Sequence, residues 1–424
     1  MAVSLFIVGV VVLFFGAISF IVPNLDLIRG PAFFISWLTT ELAVQLLILN
    51  LATAVVLLAL GGYQQTIGIV GAVLILLNSS ILLYHILNSL KAEKILEDAL
   101  EDSFKNSALL PQGADVRQIY RVNLKKANKG RVFPFPIRPS KVKKIKNVPY
   151  IDDGNRRHKL DIYVPKVFTV EGSEKEGEVS IFKPVVVMIH GGAWVIGQKE
   201  NQGLPHIHTL TKNGYICVAI NYRLSPKATW PDHILDVKHA LSWVKENIKS
   251  YGGDPKRVAV AGMSAGGHLA VLSALSVNDA RYQPGFETFD TNINACIGIY
   301  PVLDLTNTLK VQTNQLIGML TKLVFKTSLR TDRESWEYAS PLLKKLDGSP
   351  PMFILHGSKD LLVPIEESIE FVRRSKVAKN LICFANLTGA QHAFEIFWSI
   401  RARKSVAAVM TFLDVLFKNG DLSS

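Results

Sequence analysis

The sequence predicts an α/β protein with a mostly parallel sheet, preceded by a group of apolar helices. Two observations lead to this division. Among the first 90 of the 424 residues, the charged side chains are only Asp26, Arg29 and Glu41. After them, apolar runs of strand length alternate with helical patterns, which is typical of a parallel sheet covered by helices on both faces. The apolar first part also explains why the whole chain is only 19% charged, since soluble domains are nearer a quarter.

The apolar part is long enough for three membrane-spanning helices. A bilayer core needs about 20 apolar residues per helix, and residues 1–25 and 42–90 are uncharged. We therefore predict spans at about 2–22, 40–60 and 67–89, with the polar turn 61–66 before the third. The first lacks the basic n-region and the cleavage motif of a secretion signal. The alternative is a buried apolar hairpin in a soluble protein.

The remainder of the chain is basic. The net charge is +12, and the first 90 residues contribute −1, so the rest carries +13. Eleven Lys and Arg fall between Asp115 and Asp152 with no acid among them. Such a run beside a span is attracted to anionic lipid headgroups and favours a cytoplasmic position for the C-terminal part of the chain, although a solvated linker has the same composition. No recognition motif predicts nucleic-acid binding, and the oligomeric state stays open.

Three regions are predicted from these patterns: membrane helices over 1–90, an amphipathic helix and basic connector over 91–144, and an α/β domain over 145–424. The predicted strands of the α/β domain are 160–164, 185–189, 215–222, 257–261, 295–300, 352–356 and 381–387. The cysteines, Cys217, Cys296 and Cys383, lie in these strands. Their number is odd and their spacing fits no metal site, so we expect buried reduced thiols.

A Gly-x-Ser-x-Gly motif is the first sign of chemistry. Gly262, Ser264 and Gly266 lie between the predicted strand 257–261 and a helix that begins near Ala265. A sharp turn from strand into helix exposes the serine oxygen, and flanking glycines avoid the clashes that side chains would cause there.

Three further features come in the order expected for a serine hydrolase. Residues 190–194, His-Gly-Gly-Ala-Trp, come directly after a buried strand, where backbone N–H groups can point at a developing oxyanion. Asp360 follows the strand 352–356, and His392 follows the next strand. The order of serine, acid and histidine is that of hydrolases with this serine motif. Asp304 is an alternative acid, but the His-Gly-Ser-Lys-Asp context favours Asp360. His268 is interpreted as a packing residue.

With these motifs, residues 145–417 resemble the α/β-hydrolase esterases of the hormone-sensitive-lipase-like group. The matching segments are 160–163, 190–194, 221–226, 252–255, 262–267, 356–360 and 392–394. The apolar N-terminus adds a likeness to bacterial membrane-anchored carboxylesterases. Ala193 stands where many members have glycine, a pattern shared with feruloyl-esterase-like, formamidase-like and prenylcysteine-methylesterase-like relatives. The resemblance implies the α/β-hydrolase fold, with a mostly parallel eight-stranded sheet and helices on both faces.

The resemblance also implies roles for the residues of the motifs. Ser264 is the nucleophile, His392 the general base and acid, and Asp360 the partner of His392. The oxyanion would be held by the backbone N–H groups of Gly192, Ala193 and Ala265. The turn that carries them would be supported by His190, Gly191 and Trp194. The resemblance implies no metal and no organic cofactor.

The sequence thus predicts a membrane-anchored serine carboxylesterase or lipase that acts through an acyl-enzyme on esters with a lipophilic part. Two alternatives remain: an amide- or peptide-cleaving enzyme of the same fold, and a catalytically silent binding protein. The resemblance implies a cap insert near 305–340. Within it, residues 315–325 are largely apolar and either roof an acyl pocket or form an ordinary sheet-covering helix. Residues 31–41, with Phe33, Phe34 and Trp37, are an aromatic segment that could lie in the membrane interface and deliver substrate.

Overall fold

The N-terminal part of the molecule is helical. The computed structural model describes residues 1–21, 26–105, 107–110, 113–128, 133–166 and 182–418. The first helices are α1 (Ala2–Ile18), α2 (Asp26–Glu41), α3 (Ala43–Ala59), α4 (Thr66–Leu90) and α5 (Ala92–Phe104). Helices α4 and α5 form one continuous helix of 39 residues.

The prediction of three membrane spans is not confirmed. Within the described residues, the helix Thr66–Phe104 is long and apolar enough to cross a bilayer. The pair Ile28–Glu41 and Ala43–Ala59 reaches that length only together, across a bend of 81°. Helices α1 and α3 have 17 residues each, which corresponds to about 26 Å against a hydrocarbon core of about 30 Å. Length and composition thus support one span, or two if the bent pair counts as one.

The C-terminal part of the molecule is built on one sheet, as predicted. Its strands are β1 (Val142–Pro149), β2 (Lys159–Pro165), β3 (Lys183–Ile189), β4 (Ile216–Ile220), β5 (Gly253–Met263), β6 (Ala295–Ile299), β7 (Met352–Gly357) and β8 (Ile382–Leu387). The eight strands lie in the order β1-β2-β4-β3-β5-β6-β7-β8. Pairs β1–β2 and β2–β4 are antiparallel, and β3 to β8 are parallel to one another. The central residues of the parallel strands, such as 185–189 of β3 and 258–263 of β5, are apolar and buried, because helices cover both faces of the sheet.

Two layers of helices cover the sheet. The remaining helices are α6 (Val116–Asn128), α7 (Leu204–Lys212), α8 (Asp232–Asn247), α9 (Ala265–Leu275), α10 (Asn314–Met319), α11 (Arg333–Ala339), α12 (Ile365–Val377) and α13 (Ile400–Phe417). One face packs against α8, α9 and α12, and the other against α5, α6, α7 and α13. Helix α6 lies in the stretch expected as a connector. Its buried Val116, Tyr120 and Leu124 make it part of the core.

The N-terminal helices are joined to the C-terminal part of the chain through α2. Glu41 forms an ion pair of 2.8 Å with Arg401 of α13, and neither side chain is exposed. Ser36 Oγ accepts a hydrogen bond of 2.8 Å from Gln391 Nε2. Separating a fully buried ion pair is costly, because each member would become an uncompensated charge. These contacts therefore hold α2 beside the loop that follows β8.

The cysteines lie in the sheet as free thiols. Cys217, Cys296 and Cys383 are buried and form no disulfide bond. Burial raises the pKa of Cys217 and of Cys383 to about 12, so these thiols stay protonated at neutral pH and are poor nucleophiles.

Candidate active site

Ser264 occupies the sharp turn between β5 and α9. Its backbone has φ +55° and ψ −121°, a conformation that non-glycine residues rarely adopt and that clusters at functional sites. A Cβ atom on Gly262 would lie 2.0 Å from the carbonyl oxygen of Gly266. The glycines of the motif are therefore required by the close approach of the strand end to the helix start.

Asp360 and His392 meet at the carboxyl end of the neighbouring strands. His392 Nδ1 donates a hydrogen bond of 2.7 Å to Asp360 Oδ2. The other carboxylate oxygen accepts N–H groups from Leu362 and Val363, each at 2.9 Å. Burial alone would raise the pKa of Asp360, but the charge of His392 and hydrogen bonds from His356 and His392 hold that pKa well below its usual range. Asp360 is therefore ionised at every physiological pH.

Ser264 and His392 line one cavity of about 560 Å³. Ser264 Oγ has no hydrogen-bond partner among the described residues. In free enzymes the hydrogen bond between a catalytic serine and its histidine is often long, and it shortens when substrate binds. The cavity also contains the glycine-rich turn after β3. This turn lies close to Ser264, since a Cβ on Gly191 would be 3.1 Å from the Cβ of Ser264.

The turn after β3 is arranged to leave N–H groups free. Gly191 N–H donates to Gln202 Oε1 at 2.6 Å. The N–H groups of Val195 and Ile196 both donate to the carbonyl oxygen of Gly192. In the described part of the chain, the N–H groups of Gly192 and Ala193 have no acceptor.

Two backbone features fix the direction of these free donors. Gly192 has φ +114°, and Ala193 has φ +52°. Ala265 is the first residue of α9, where helical N–H groups lack intrahelical partners. Three unpaired donors therefore lie close to Ser264.

His190 and Trp194 support this turn from behind. His190 Nδ1 donates to the carbonyl oxygen of Gly191 at 2.7 Å, and the imidazole stacks on Tyr222 with ring centroids 4.4 Å apart. Burial lowers the pKa of His190 to about 4, so the ring is neutral. Trp194 is buried and meets His268 edge-on at 5.2 Å. Both side chains position the turn.

A sequence profile of one family covers half of this chain, residues 160–374. That profile describes the BD-FAE family. The chain belongs to the BD-FAE family.

Curated relatives of this BD-FAE protein are esterases. It is 45% identical over 231 residues to the probable carboxylic ester hydrolase LipM of Mycobacterium tuberculosis, covering 54% of each chain. It is 41% identical over 235 residues to the esterase LipQ of the same organism, covering 55% of this chain and 56% of LipQ. Over 223 residues it is 30% identical to the isoprenylcysteine α-carbonyl methylesterase ICME of Arabidopsis thaliana, covering 51% and 49%. The chain spans about half the length of the curated relatives it matches.

Solved structures share the fold. Esterase B of Lactobacillus rhamnosis superposes with a TM-score of 0.54 at 20% identity, over 72% of this chain and 93% of that one. An esterase of Pyrobaculum calidifontis gives 0.50 at 24% identity, over 76% and 97%. The α/β-hydrolase fold with a mostly parallel sheet is thus confirmed for this BD-FAE chain.

A polar network that the sequence did not indicate connects the two halves of the BD-FAE site, with half-buried Gln202 between the buried side chains of Tyr300 and Glu395. Gln202 accepts the Gly191 N–H through its Oε1, and its Nε2 donates to Tyr300 Oη and to Glu395 Oε1, each at 3.2 Å. Tyr300 also donates to Glu395, and its ring centroid lies 4.2 Å from that of His392. Burial raises the pKa of Glu395, although the Tyr300 hydrogen bond opposes this. No sequence spacing relates these residues; only the fold brings them together.

Helix α2 also forms part of the site. Arg29, Gly30 and Phe33 line the cavity, and the Phe33 ring meets His392 edge-on at 6.3 Å between centroids. The sequence indicated an aromatic segment here but not its place. Phe33 and Trp37, four residues apart, were the available signal, since such residues share one helix face.

The predicted cap stretch lies only partly over the cavity. Leu316 and Met319 of α10 line it. Leu320 and Phe325 are instead buried in the core, where Phe325 stacks on Trp336 with centroids 4.2 Å apart. The hypothesis that all of 315–325 roofs a pocket is therefore corrected: α10 faces the cavity, and the π-helical turn Leu320–Phe325 packs inward.

Asp304 and His268, which the sequence motifs disfavour as catalytic residues, do not belong to the candidate active site. Asp304 accepts hydrogen bonds from Thr306 Oγ1 and from the Leu309 N–H, each at 2.8 Å. His268 Nε2 donates to the carbonyl oxygen of Ala339 at 2.8 Å. Neither lines the cavity that holds Ser264. In the described part of the chain, no group of three or more His, Cys, Asp or Glu side chains is arranged to hold a metal ion.

Proposed function

We propose that this chain is a membrane-attached serine carboxylesterase that hydrolyses esters with a lipophilic part. The observation that carries the proposal is the Asp360–His392 hydrogen bond of 2.7 Å, in a pair whose histidine shares a cavity with Ser264. The family and the named activities of the curated relatives support the same reaction.

The reaction begins at Ser264. His392 takes the hydroxyl proton while Oγ attacks the ester carbonyl carbon, and the imidazolium that forms is stabilised by ionised Asp360. The N–H groups of Gly192, Ala193 and Ala265 receive the negative charge that develops on the carbonyl oxygen. Each such donor is typically worth about 3–4 kcal/mol in the transition state.

The tetrahedral intermediate then collapses. Its C–O bond to the leaving alcohol breaks, and His392 returns the proton to that oxygen. A water molecule, activated by the same imidazole, attacks the acyl-enzyme on Ser264 and releases the acid. The pKa values of His190 and of Asp360 are both lowered. Neither group therefore competes with His392 for the proton.

The walls of the cavity support an ester with a lipophilic part. Phe33, Ile196, Leu316, Met319 and Ile396 line it together with the reacting groups. Apolar walls bind acyl or alkyl chains in proportion to the area they remove from water.

Membrane attachment through the N-terminal helices would bring this cavity to such substrates. The long apolar helix Thr66–Phe104 supports the attachment, and the contacts of α2 hold the cavity beside the N-terminal helices. The basic run after residue 115 favours the cytoplasmic side for the catalytic end.

The test is hydrolysis of p-nitrophenyl esters from acetate to palmitate by detergent-purified full-length protein, with Ser264→Ala as the matched variant. We expect turnover that is lost in the variant, and the preferred chain length reports the depth of the pocket. Turnover that persists in Ser264→Ala would overturn the mechanism. Turnover of amides but of no ester, by folded protein, would overturn the proposed bond class.

A further inference from the structure

The turn that carries the oxyanion donors and the loop that carries His392 lie on strands that are not neighbours. The turn follows β3 and the loop follows β8, and three strands lie between them in the sheet. Backbone hydrogen bonds between adjacent strands therefore do not fix the turn relative to the loop. Acyl transfer nevertheless needs the base and the donors within about 0.5 Å of a productive geometry. Contacts across the carboxyl end of the sheet have to supply that precision.

The side chains of Gln202, Tyr300 and Glu395 make such a contact. Gln202 Oε1 accepts the Gly191 N–H of the turn at 2.6 Å. Its Nε2 donates to Tyr300 Oη and to Glu395 Oε1, each at 3.2 Å, and Tyr300 donates to Glu395 Oε2. Glu395 itself belongs to the loop of His392. Every polar atom of the three side chains is thus paired, and fully paired polar networks are rigid.

Tyr300 holds this network against the imidazole of His392. It directly follows β6, the middle one of the three intervening strands. Its side chain is fully buried, and its ring centroid lies 4.2 Å from that of His392. Tyr300 has φ +40°, a left-handed conformation that is costly for a bulky residue and occurs mainly at functional sites. The fold therefore keeps the phenol ring beside the proposed base at a cost in backbone strain.

We propose that these three side chains are positioning residues, which together fix the oxyanion donors of the turn after β3 relative to His392. Gln202 keeps the Gly191 N–H engaged, so the unpaired N–H groups that follow it keep their direction, and Tyr300 restricts the tilt of the imidazole. Buried polar networks add little to stability compared with well-packed apolar side chains, so stability alone does not account for this one. The inference rests on the proposed function, because it assigns the three side chains to the same site.

Two substitutions break the network without emptying the site. Gln202→Met removes both polar atoms of the amide at nearly constant volume. Tyr300→Phe keeps the ring against His392 and removes only the hydroxyl. With full-length protein in detergent and a short p-nitrophenyl ester, we expect kcat to fall about 10- to 100-fold in Gln202→Met and about three- to tenfold in Tyr300→Phe. KM should change by less than about twofold, since the interactions that are lost act in the transition state.

Matched controls separate positioning from folding. Tyr282→Phe removes a buried hydroxyl that donates to the carbonyl oxygen of Tyr338 at 2.7 Å. Gln283→Met removes a buried amide that donates to two carbonyl oxygens. Neither residue lines the cavity of Ser264, so both controls should lower Tm and leave kcat within about twofold of the wild-type value. Equal kcat values in the site variants and their controls would overturn the proposal.

The double variant tests whether Gln202 and Tyr300 act as one unit. Residues of one hydrogen-bond network are not additive, because the second substitution breaks contacts that the first has already released. The kcat of Gln202→Met with Tyr300→Phe should therefore lie within about threefold of that of Gln202→Met alone. Losses of kcat that multiply would show that the two residues act separately, and would overturn the proposal.

Hydrogen exchange tests the network without any turnover. In full-length protein with Ser264→Ala, Tyr300→Phe should speed amide exchange in residues 190–197 about fivefold, since Tyr300 reaches that turn through Gln202. Tyr282→Phe in the same background should leave this exchange unchanged. Equal exchange in the two variants would overturn this inference alone, whatever the activity. Faster exchange in Tyr300→Phe, with no turnover that depends on Ser264, would overturn the proposed function and leave the network in place.

Discussion

Trp37 Nε1 donates a hydrogen bond of 3.0 Å to the carbonyl oxygen of Ala393, the residue directly after His392. Ala393 has φ +61°, a left-handed conformation that needs support from its surroundings. The Trp37 ring also stacks on Phe397 with centroids 4.9 Å apart. Helix α2 of the apolar N-terminal part is thus attached to the loop that carries the proposed general base.

Trp37→Phe tests this attachment. The phenyl ring keeps a stacking partner for Phe397 but loses the hydrogen bond, which is worth about 0.5–1.5 kcal/mol. We expect kcat to fall about two- to tenfold, with KM little changed because the cavity walls are intact. Phe34→Leu is the control, since Phe34 is 59% exposed. Equal kcat values for the two variants would show that the loop does not depend on Trp37.

The turn after β3 offers a matched pair of substitutions. A Cβ on Gly192 would lie 2.2 Å from the carbonyl oxygen of Ile196, so Gly192→Ala must displace an oxyanion donor. We expect kcat to fall about 10²–10³-fold. Ala193→Gly relieves a positive φ and should leave kcat within about threefold. Steady-state kinetics on a short ester measures both, and similar losses for the two would contradict the assignment of this turn.

Leu316 should set the preferred acyl chain length. It lines the catalytic cavity, whereas the adjacent Ile317 does not. Leu316→Trp is expected to shorten the optimum in the p-nitrophenyl ester series by reducing the apolar volume. Ile317→Trp, of the same size on the same helix, should leave the optimum unchanged. If both variants shift the optimum, or neither does, the wall of the pocket has been wrongly placed.

Glu367 gives the fold a specific pH dependence. It is fully buried and accepts hydrogen bonds from the N–H groups of Leu303 and Asp304. Burial nevertheless raises its pKa to about 7. The folded state therefore holds a proton that the unfolded chain releases above about pH 4.3. Stability falls as pH rises from there to about 7, by about 4 kcal/mol.

The measurement is Tm between pH 5 and pH 8, because that window contains most of the change. Wild-type Tm should fall across the window. Glu367→Gln cannot lose a proton, and its Tm should be flatter. Parallel curves for the two proteins would show that Glu367 is already ionised in the folded state at pH 5.

The sheet could be predicted because its strands are short, apolar and separated by turn signals. Residues 185–189 and 352–356 are buried on both faces, so they read as continuous apolar runs. Strand β1 and helix α6 were missed since their positive charge resembles that of a linker. In α6, Tyr120 and Leu124 are buried while Lys125 and Arg121 face outward. The spacing of Val116, Tyr120 and Leu124 by four residues was the available signal of one buried helix face.

The candidate site divides in the same way. Ser264, Asp360 and His392 could be named because each follows a recognisable strand, in a fixed order. Gln202 and Glu395 could not be named, since they are far apart in sequence. Their roles come from hydrogen bonds that only the folded chain brings together. The contribution of Phe33 depends on how the N-terminal helices dock, which no local pattern encodes.

Transfer of an acyl group to Ser264 is the step on which the proposed mechanism depends. It can be observed by mass spectrometry of the full-length protein, quenched with acid during turnover of p-nitrophenyl butyrate and digested. We expect one butyryl group on the peptide that contains Ser264 and none in Ser264→Ala. Steady turnover with no butyryl group on Ser264, or with the same adduct in Ser264→Ala, would show that the mechanism is wrong.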